Sequence, residues 1–314
     1  MKTIISKRHI FKFYLAIIWG TLFFLGMATV LLFIYKEELD KGDLKPKAQL
    51  MPIFSIACYA FAGYSLYRYI KNAPKITLDK EFITFNNQTF SISDIKKVTL
   101  TGKRPFKYAL NFPMEAATLT FNSGETQYIF DDMYSNSREI KSFLKQVVID
   151  KKDFFEPTEN QIDINSVNND YYETYKGTVI TSLRGISLWG LIGFFSYMLL
   201  NNNKPTTTGL LIGFFCFLFF WFLFHTYLMN YFQVSDNFFV VRNHNFFWTK
   251  KPYNIKDIKE VVFETQGKMP NCLRIITKDF RNKLYPAGTL RDKTWLELKD
   301  KLEAYKIKVR NECI

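Results

Sequence analysis

Long apolar runs constrain this sequence more than any other feature. Residues 13–35 and 48–67 contain no charged side chain, and residues 209–229 form the most apolar segment of the chain. A helix needs roughly 20 apolar residues to cross the ~30 Å hydrocarbon core of a bilayer. Residues 186–200 form a shorter apolar run of 15 residues, so a span over residues 180–200 must include Arg184, whose long side chain can reach a headgroup. The sequence therefore predicts four membrane-spanning helices in two hairpins, at about these four positions.

A cleaved signal peptide is the alternative explanation of the first run. That run is longer than the apolar core of a signal peptide, and no small-x-small cleavage pattern precedes residues 35–39. A membrane-spanning helix is therefore the preferred interpretation.

Basic residues flank the first predicted hairpin on both of its outer sides. They are Lys2, Lys7, Arg8 and Lys12 before the first span and Arg68, Lys71 and Lys75 after the second. Such flanks usually face the cytoplasm, although residues 36–47 contain four lysines of their own. The pattern predicts a multi-pass protein of the inner (cytoplasmic) membrane with both large segments in the cytoplasm. Only residues 36–47 and 201–208 then face outward.

The formal net charge of +13 is concentrated beside the predicted spans and in the last domain. Each juxtamembrane Lys or Arg adds about 1 kcal/mol of attraction to an anionic leaflet. Anionic membrane lipids are therefore the predicted partner, with a protein toxin or another membrane protein as further candidates. No nucleic-acid-binding motif occurs, so nucleic acid is not a predicted partner. The sequence does not indicate an oligomeric state.

A short motif occurs twice in the chain. SISDIKKV at residues 91–98 and NIKDIKEV at residues 254–261 share the pattern I-x-D-I-K-x-V. Each copy follows a strand, a polar corner and a second strand, and precedes further alternating strands and an amphipathic helix. Asn136 with Glu139 is a candidate cap of the first such helix. The repeat predicts a first transmembrane hairpin in residues 1–75, a β-domain in 76–150, an acidic linker in 151–176, a second hairpin in 177–230 and a second β-domain in 231–314.

Each predicted β-domain resembles the bacterial pleckstrin-homology-like (PH-like) domain family of membrane proteins. The resemblance covers residues 76–148 and 231–309 and depends on the order of the short strands, the I-x-D-I-K-x-V motif and the closing helix. It implies a split barrel of antiparallel strands plugged by a C-terminal helix. The predicted fold class is thus an α-helical membrane protein with four spans plus two α+β PH-like domains. Eukaryotic relatives bind phosphoinositides through basic strand loops.

The sequence shows none of the motifs that commonly indicate catalysis. A glycine-rich phosphate loop, an H-E-x-x-H zinc motif and a G-x-S-x-G nucleophile motif are all absent. The histidines are scattered, and His225 in the fourth predicted span is more typical of a helix–helix contact than of a proton-transfer or ligand-binding group. The sequence thus predicts no enzymatic activity, no catalytic or metal-binding residue and no cofactor.

Two surface segments are candidates for contact with lipid or a partner. Residues 101–114 interleave basic and aromatic side chains, which suits a lipid interface or, equally, a strand that covers the sheet. Residues 242–254 lengthen a strand corner with aromatic residues that could contact the first domain, the bilayer or a partner, or shield a sheet edge. The candidate lipid-interface residues are Lys103, Arg104, Phe106, Lys107, Tyr108 and Phe112. The candidate partner-contact residues are Phe214, Phe217, Phe220, Trp221, Phe224, His225, Phe246, Phe247 and Trp248.

Three functions are compatible with these patterns. The first is a non-enzymatic interaction protein, in particular one that gives immunity to a membrane-acting toxin or bacteriocin, as some membrane proteins resembling the PH-like family do. Because the outer loops are short, such protection would act within the bilayer or from the cytoplasmic side, with the aromatic residues 214–224 packing against an inserted toxin helix. The second is an anionic-lipid-binding sensor or scaffold at the inner leaflet. The third is an accessory subunit of a transporter, although the spans offer little beyond His225 to line a solute path.

Overall fold

The structure is a computed structural model that describes residues 3–42, 46–108, 111–156, 162–201, 208–267 and 269–314. The chain divides into two compact units, Met1–Pro157 and Thr158–Ile314. Each unit combines a pair of apolar helices with two β-sheets and a closing helix.

Within the part of the chain that the structure describes, three helices are long and apolar enough to cross a membrane: Ile10–Asp40, Ala48–Asn72 and Leu183–Leu200. The fourth predicted span coincides with a helix over Thr208–Tyr227, whose apolar part, Leu211–Tyr227, is shorter than these three helices. Length and composition therefore support three spans, and the fourth stays a prediction.

The two helices of the first unit pack against each other. The Ser55 hydroxyl, on the second helix, donates a hydrogen bond to the carbonyl of Ala28 on the first at 2.9 Å. Most of the large apolar side chains on both helices nevertheless point away from the protein and are exposed. Outward-facing apolar side chains suit a helix that is surrounded by lipid, where backbone hydrogen bonds must be satisfied internally.

Eight strands of the first unit form two antiparallel sheets. One sheet has the order β1-β2-β3-β4, and the other has the order β5-β7-β6 with β8 also paired to β7. Their bounds are β1 Ile4–Ile5, β2 Ile76–Leu78, β3 Phe82–Phe85, β4 Gln88–Ser91, β5 Ile95–Thr99, β6 Lys103–Lys107, β7 Asn111–Phe121 and β8 Thr126–Phe130. The closing helix Ser137–Phe143 continues as a π-helix over Leu144–Ile149.

The helix pair of the first unit is inserted between two neighbouring strands of one sheet. Strand β1 precedes the helices and β2 follows them, and the two strands pair antiparallel with Ile4 opposite Leu78. The backbone amide of Ser6 extends this pairing by donating to the carbonyl of Ile76 at 2.7 Å. Both ends of the helix pair are thereby attached to the same edge of the sheet.

The second unit repeats this plan. Strand β9 precedes its helices, β10 follows them, and the sheets have the orders β12-β11-β10-β9 and β15-β14-β13-β16. The closing helix Asp292–Ala304 buries Trp295, Leu298 and Leu302 in the core. The strand bounds are β9 Glu173–Tyr175, β10 Asn230–Val234, β11 Phe238–Asn243, β12 Lys250–Asn254, β13 Ile258–Glu264, β14 Cys272–Thr277, β15 Asn282–Pro286 and β16 Lys308–Asn311.

The repeated motif makes the same backbone hydrogen bond in both units. In the first unit the amide of Asn122 donates to the carbonyl of Asp94, the aspartate of the motif. In the second unit the amide of Lys278 donates to the carbonyl of Asp257, the matching aspartate, and the distance is 2.8 Å in each case. A short 3₁₀ turn containing this aspartate leads into β5 in the first unit and into β13 in the second. The motif therefore encodes a corner that turns the chain from one sheet into the other.

A β-bulge follows the corner at the same position of each unit. The register of β5 against β7 shifts between Ile95 and Lys97, and the register of β13 against β14 shifts between Ile258 and Glu260. A bulge bends its strand and increases the local twist, which helps a sheet to curve around a core. The match at this irregular position is strong evidence that the two β-domains are structural repeats.

Two local predictions differ from the structure. The second half of the predicted linker at residues 151–176 holds a helix, Ile164–Asn168, and strand β9, so it is part of the second unit. Asn136 precedes the closing helix but makes no capping hydrogen bond. Its side chain instead donates to the carbonyl of Ile5 at 2.9 Å and accepts from the amide of Lys7 at 2.7 Å. It thereby fastens the segment after β1.

Candidate membrane-interface site

The first candidate segment forms a β-hairpin, called here the basic hairpin, which consists of β6 and residues 111–115 of β7. Phe106 lies opposite Phe112, and Lys107 lies opposite Asn111. Cross-strand partners share a face and successive side chains alternate between faces. Phe106 and Phe112 are therefore on one face of the hairpin, whereas Lys103 and Lys107 are on the other.

The aromatic face of the basic hairpin packs on the base of the helix pair. The ring of Phe106 makes an edge contact with Tyr69 of the second apolar helix, with centroids 5.3 Å apart. The side chain of Asn72, at the end of the same helix, donates a hydrogen bond to the carbonyl of Lys107. Tyr69 in turn donates from its hydroxyl to the carbonyl of Lys12 on the first helix at 2.6 Å. The hairpin is thus fixed to the end of the helix pair that joins the sheets.

Tyr108, which follows β6, lies close to the first apolar helix. A Cβ atom built on Gly20 would lie 3.8 Å from the hydroxyl of Tyr108. At a rise of 1.5 Å per residue, Gly20 is about 12 Å further along the helix than Lys12. Lys12 is the last charged residue before Lys36. Tyr108 therefore lies beside the uncharged part of the helix.

The structure divides the predicted lipid-interface residues into accessible and buried ones. Phe112 is 47% exposed and Lys107 is also exposed, whereas Phe106 is only 2% exposed. The prediction that Phe106 contacts lipid is therefore wrong, because its ring fills the space between the hairpin and Tyr69. Arg104 donates from Nε to the hydroxyl of Thr118 at 2.7 Å, which holds its guanidinium on the sheet. The two remaining candidates, Lys103 and Tyr108, are half-buried.

The second candidate segment forms a loop between β11 and β12, called here the aromatic loop (residues 243–249). The carboxamide oxygen of Asn243 accepts from the amide of Asn245 at 3.0 Å and from that of Phe246 at 2.9 Å. These bonds hold the backbone in a compact turn and leave two large side chains outside it. Phe247 is 77% exposed and Trp248 is 67% exposed.

The aromatic loop is attached to the end of the fourth apolar helix. The side chain of Asn243 donates to the carbonyl of Thr226 at 2.7 Å, and the side chain of Asn245 donates to the Thr226 hydroxyl at 3.1 Å. Thr226 is one residue from the end of the helix and is fully buried. The exposed rings of Phe247 and Trp248 are therefore held near the point where this helix joins the sheet.

His244 stabilises the base of the aromatic loop as a neutral side chain. Its Nε2 atom lies 3.2 Å from the hydroxyl of Thr289, and its ring stacks obliquely on Tyr231 with centroids 4.8 Å apart. Burial, aided by the nearby charge of Lys176, lowers the pKa of His244 to about 4. The loop is therefore anchored by an uncharged imidazole at neutral pH.

No protein-family model matches this chain, and no curated protein matches it. Its function must therefore be inferred from its own geometry.

The aromatic residues of the fourth apolar helix divide into packed and outward-facing groups. The ring of Phe214 contacts Phe195 of the third helix, with centroids 5.7 Å apart. Phe220 and Phe224 point outward and are exposed, and Phe217 is partly so. His225 is buried against the half-buried ring of Trp221, with centroids 4.3 Å apart, so it offers no surface to a partner.

Several residues that define the site gave no signal in the sequence. Gly20, Tyr69 and Asn72 lie in or beside apolar runs, where a glycine or a tyrosine is common and indicates nothing about a β-hairpin elsewhere in the chain. Among the residues that the structure describes, no group of three or more His, Cys, Asp or Glu side chains is placed to hold a metal ion.

Proposed function

We propose that the chain is a non-enzymatic, multi-pass protein of the bacterial inner membrane whose two PH-like domains lie on the cytoplasmic leaflet and bind its anionic lipids. In this proposal all four apolar helices cross the bilayer. The observation that supports it is the position of Tyr108 beside Gly20, because it brings the chain just after β6 to the uncharged part of the first apolar helix. The PH-like resemblance and the absence of catalytic motifs support the same proposal.

The chemistry of the two segments suits this role. Aromatic side chains favour the headgroup region, where an apolar ring can lie between water and acyl chains. Phe112 in the basic hairpin and Phe247 and Trp248 in the aromatic loop are the exposed examples. Lys107 lies on the opposite face of the hairpin from the rings that contact the helices and is free to meet a phosphate. Each such lysine adds about 1 kcal/mol near an anionic leaflet.

Depth-dependent quenching tests the position of the basic hairpin. We expect a fluorophore attached to Cys in the Phe112→Cys variant to be strongly quenched when the full chain is in nanodiscs whose lipids carry a nitroxide just below the headgroup. The native cysteines are replaced by alanine for this measurement. Adding Lys107→Glu should reduce the quenching in anionic nanodiscs, because it replaces an attraction to the leaflet by a repulsion.

Ser123→Cys is the matched control for this experiment. Ser123 follows the far end of the same strand, β7, and is exposed. At ~3.3 Å per residue, the strand length separates the two labels by roughly 30 Å or more. Equal quenching at positions 112 and 123 would show that the hairpin does not reach the bilayer and would remove the lipid-binding proposal.

Immunity to a membrane-acting toxin is a second proposal, supported by one observation. Phe220 and Phe224 project outward from the fourth apolar helix and are exposed. They lie one helical turn apart and form an aromatic ridge that another helix could pack against by van der Waals contact, the main attraction between helices in lipid.

A challenge experiment tests the ridge. We expect a sensitive bacterium that expresses the chain to survive toxins encoded next to its gene, and Phe220→Ala/Phe224→Ala to abolish survival. Phe215→Ala is the control, because Phe215 is equally exposed but lies on roughly the opposite side of the helix. Absence of protection against every co-encoded toxin would leave the lipid-binding proposal alone.

A further inference from the structure

The two units differ at one edge of a sheet. In the second unit, β13 is covered on its outer edge by β16, which pairs with it in parallel from Glu260 opposite Lys308 to Phe263 opposite Asn311. In the first unit the matching strand is β5. Within the described ranges β5 pairs only with β7, so its outer edge presents unpaired backbone groups.

The difference arises from the path of the chain after each closing helix. In the second unit the chain leaves the helix at Ala304 and returns as β16 along β13. In the first unit it turns back along its own helix. Gln146 exchanges two hydrogen bonds with the backbone of Glu156, at 2.8 and 2.9 Å, and the ring of Phe155 lies 5.8 Å from that of Phe143. The described segment through residue 156 therefore adds no strand to β5, and the π-helix Leu144–Ile149 packs close to that strand.

The charge at this edge is reversed between the units. Glu260 of β13 is buried, and two cations of β16 lie near its carboxylate: Lys308 Nζ at 3.4 Å and Arg310 Nε at 3.6 Å. The residue at the same position of the repeated motif in the first unit is Lys97, which is exposed. A strand that covers β5 in the way that β16 covers β13 must therefore bring acidic side chains, spaced two residues apart, to Lys97.

We propose that the outer edge of β5 binds an extended acidic segment of a partner protein as a parallel strand. The backbone of the segment would continue the sheet, and its two carboxylates would lie on either side of Lys97, as Lys308 and Arg310 lie beside Glu260. In strand addition of this kind, main-chain hydrogen bonds provide the affinity and alternate side chains provide the specificity. A second copy of β16 does not fit, because its cations would meet Lys97.

Edge lysines also occur on strands that bind nothing, where their charge prevents edge-to-edge aggregation. A protective lysine and a peptide-binding lysine predict different results when peptides are added. A purely protective lysine gives an edge that binds no peptide of either charge, whereas a binding edge selects acidic over basic peptides. A charge-swap experiment on the full chain distinguishes them.

Two fluorescein-labelled peptides are suitable probes. One has the sequence of residues 305–312, YKIKVRNE, and the other is its acidic form, YKIEVENE, with Lys308→Glu and Arg310→Glu. We expect the acidic peptide to bind the full chain in detergent at least about tenfold more tightly than the basic peptide, measured by fluorescence anisotropy. The acidic peptide forms two exposed ion pairs with Lys97, whereas the basic peptide meets two repulsions there, and this difference accounts for a factor of this size. Lys97→Glu should reverse the preference.

Two controls test whether the contact is a strand and whether it is at β5. Lys80→Glu reverses an exposed charge in the turn between β2 and β3 of the same unit and should leave the preference unchanged. An acidic peptide methylated on alternate backbone nitrogens should bind at least tenfold more weakly, because it cannot complete the ladder. Absence of binding by both peptides, equal binding, or equal effects of Lys97→Glu and Lys80→Glu would each overturn the proposal.

Discussion

Replacing Arg274 with alanine is expected to lower the free energy of unfolding of the second unit by about 3–5 kcal/mol, the usual cost of leaving one partner of a buried ion pair alone. Arg274 on β14 donates to Oε1 of Glu264 on β13 from Nη2 at 2.8 Å and from Nε at 3.1 Å. Both side chains are almost completely buried. Without the guanidinium, the carboxylate keeps its desolvation cost and loses its main counter-charge.

Thiol labelling of Cys272 measures this effect within the second unit. Cys272 is buried on the same strand as Arg274, so it reacts only when the sheet opens. In a chain whose other three cysteines are replaced, Arg274→Ala should accelerate labelling by more than about a hundredfold, since 1.4 kcal/mol corresponds to a factor of ten. Lys293→Ala breaks an exposed pair with Glu297 and should change the rate little.

An apolar double replacement separates charge from packing. Arg274→Met with Glu264→Leu removes both charges together, and such exchanges are often neutral or stabilising. We expect this variant to label much more slowly than Arg274→Ala. A double variant as unstable as the single one would show that the pair contributes through shape rather than through charge.

Replacing Gly177 with alanine is expected to destabilise the second unit by about 3 kcal/mol, the upper end of the usual cost of overpacking. A Cβ atom at Gly177 would lie 1.7 Å from the carbonyl oxygen of Thr289. That overlap is with backbone and cannot be relieved by rotation of a side chain. Gly177 lies two residues after the end of β9, so the displaced segment is the one that leads into the third apolar helix.

Gly193→Ala is the matched control for this prediction. Gly193 lies within the third apolar helix, and no atom comes within 4 Å of a Cβ built there. Alanine favours a helix by up to about 1 kcal/mol over glycine, so this variant should be at least as stable as the natural chain. We expect the midpoint of thermal unfolding in detergent to fall for Gly177→Ala and to stay or rise for Gly193→Ala. A similar fall in both would contradict the proposed clash.

The sequence predicted the features that depend on long patterns. Apolar runs indicate membrane helices because every residue of the run contributes to the same signal. The I-x-D-I-K-x-V motif indicated a repeat, and the structure shows why its spacing recurs: it combines a corner at Asp94 or Asp257 with a bulge in the next strand.

Short strands with distant partners could not be predicted. Strand β1 has only two residues, and the amide of Ile76 that bonds the nearby Ser6 side chain is 70 residues away in the chain. Strand β9 has three residues and lies in a polar segment that reads as a linker. An alternating pattern needs several residues to be recognised, so strands of this length carry almost no local signal.

The candidate site was predicted in composition but not in orientation. Alternation along β6 separates Phe106 from Lys103 and Lys107, but it does not say which face meets the helices. Burial of Phe106 against Tyr69 decides that question, and the contact joins parts of the chain that the sequence gives no reason to pair. The sequence shows that Lys97 and Glu260, at matching positions of the repeats, have opposite charges. Only the structure shows that β16 brings a cation to Glu260.

Insertion of the helix pair between β1 and β2 makes the apolar helices of the first unit part of a single connection between two paired strands. In an ordinary β-hairpin this position holds a turn of a few residues. Lengthening or shortening a connection leaves the hydrogen bonds between the flanking strands unchanged and costs little closure entropy. The helices of this connection can therefore change in length, or be replaced by a short turn, while the register of Ile4 against Leu78 stays the same.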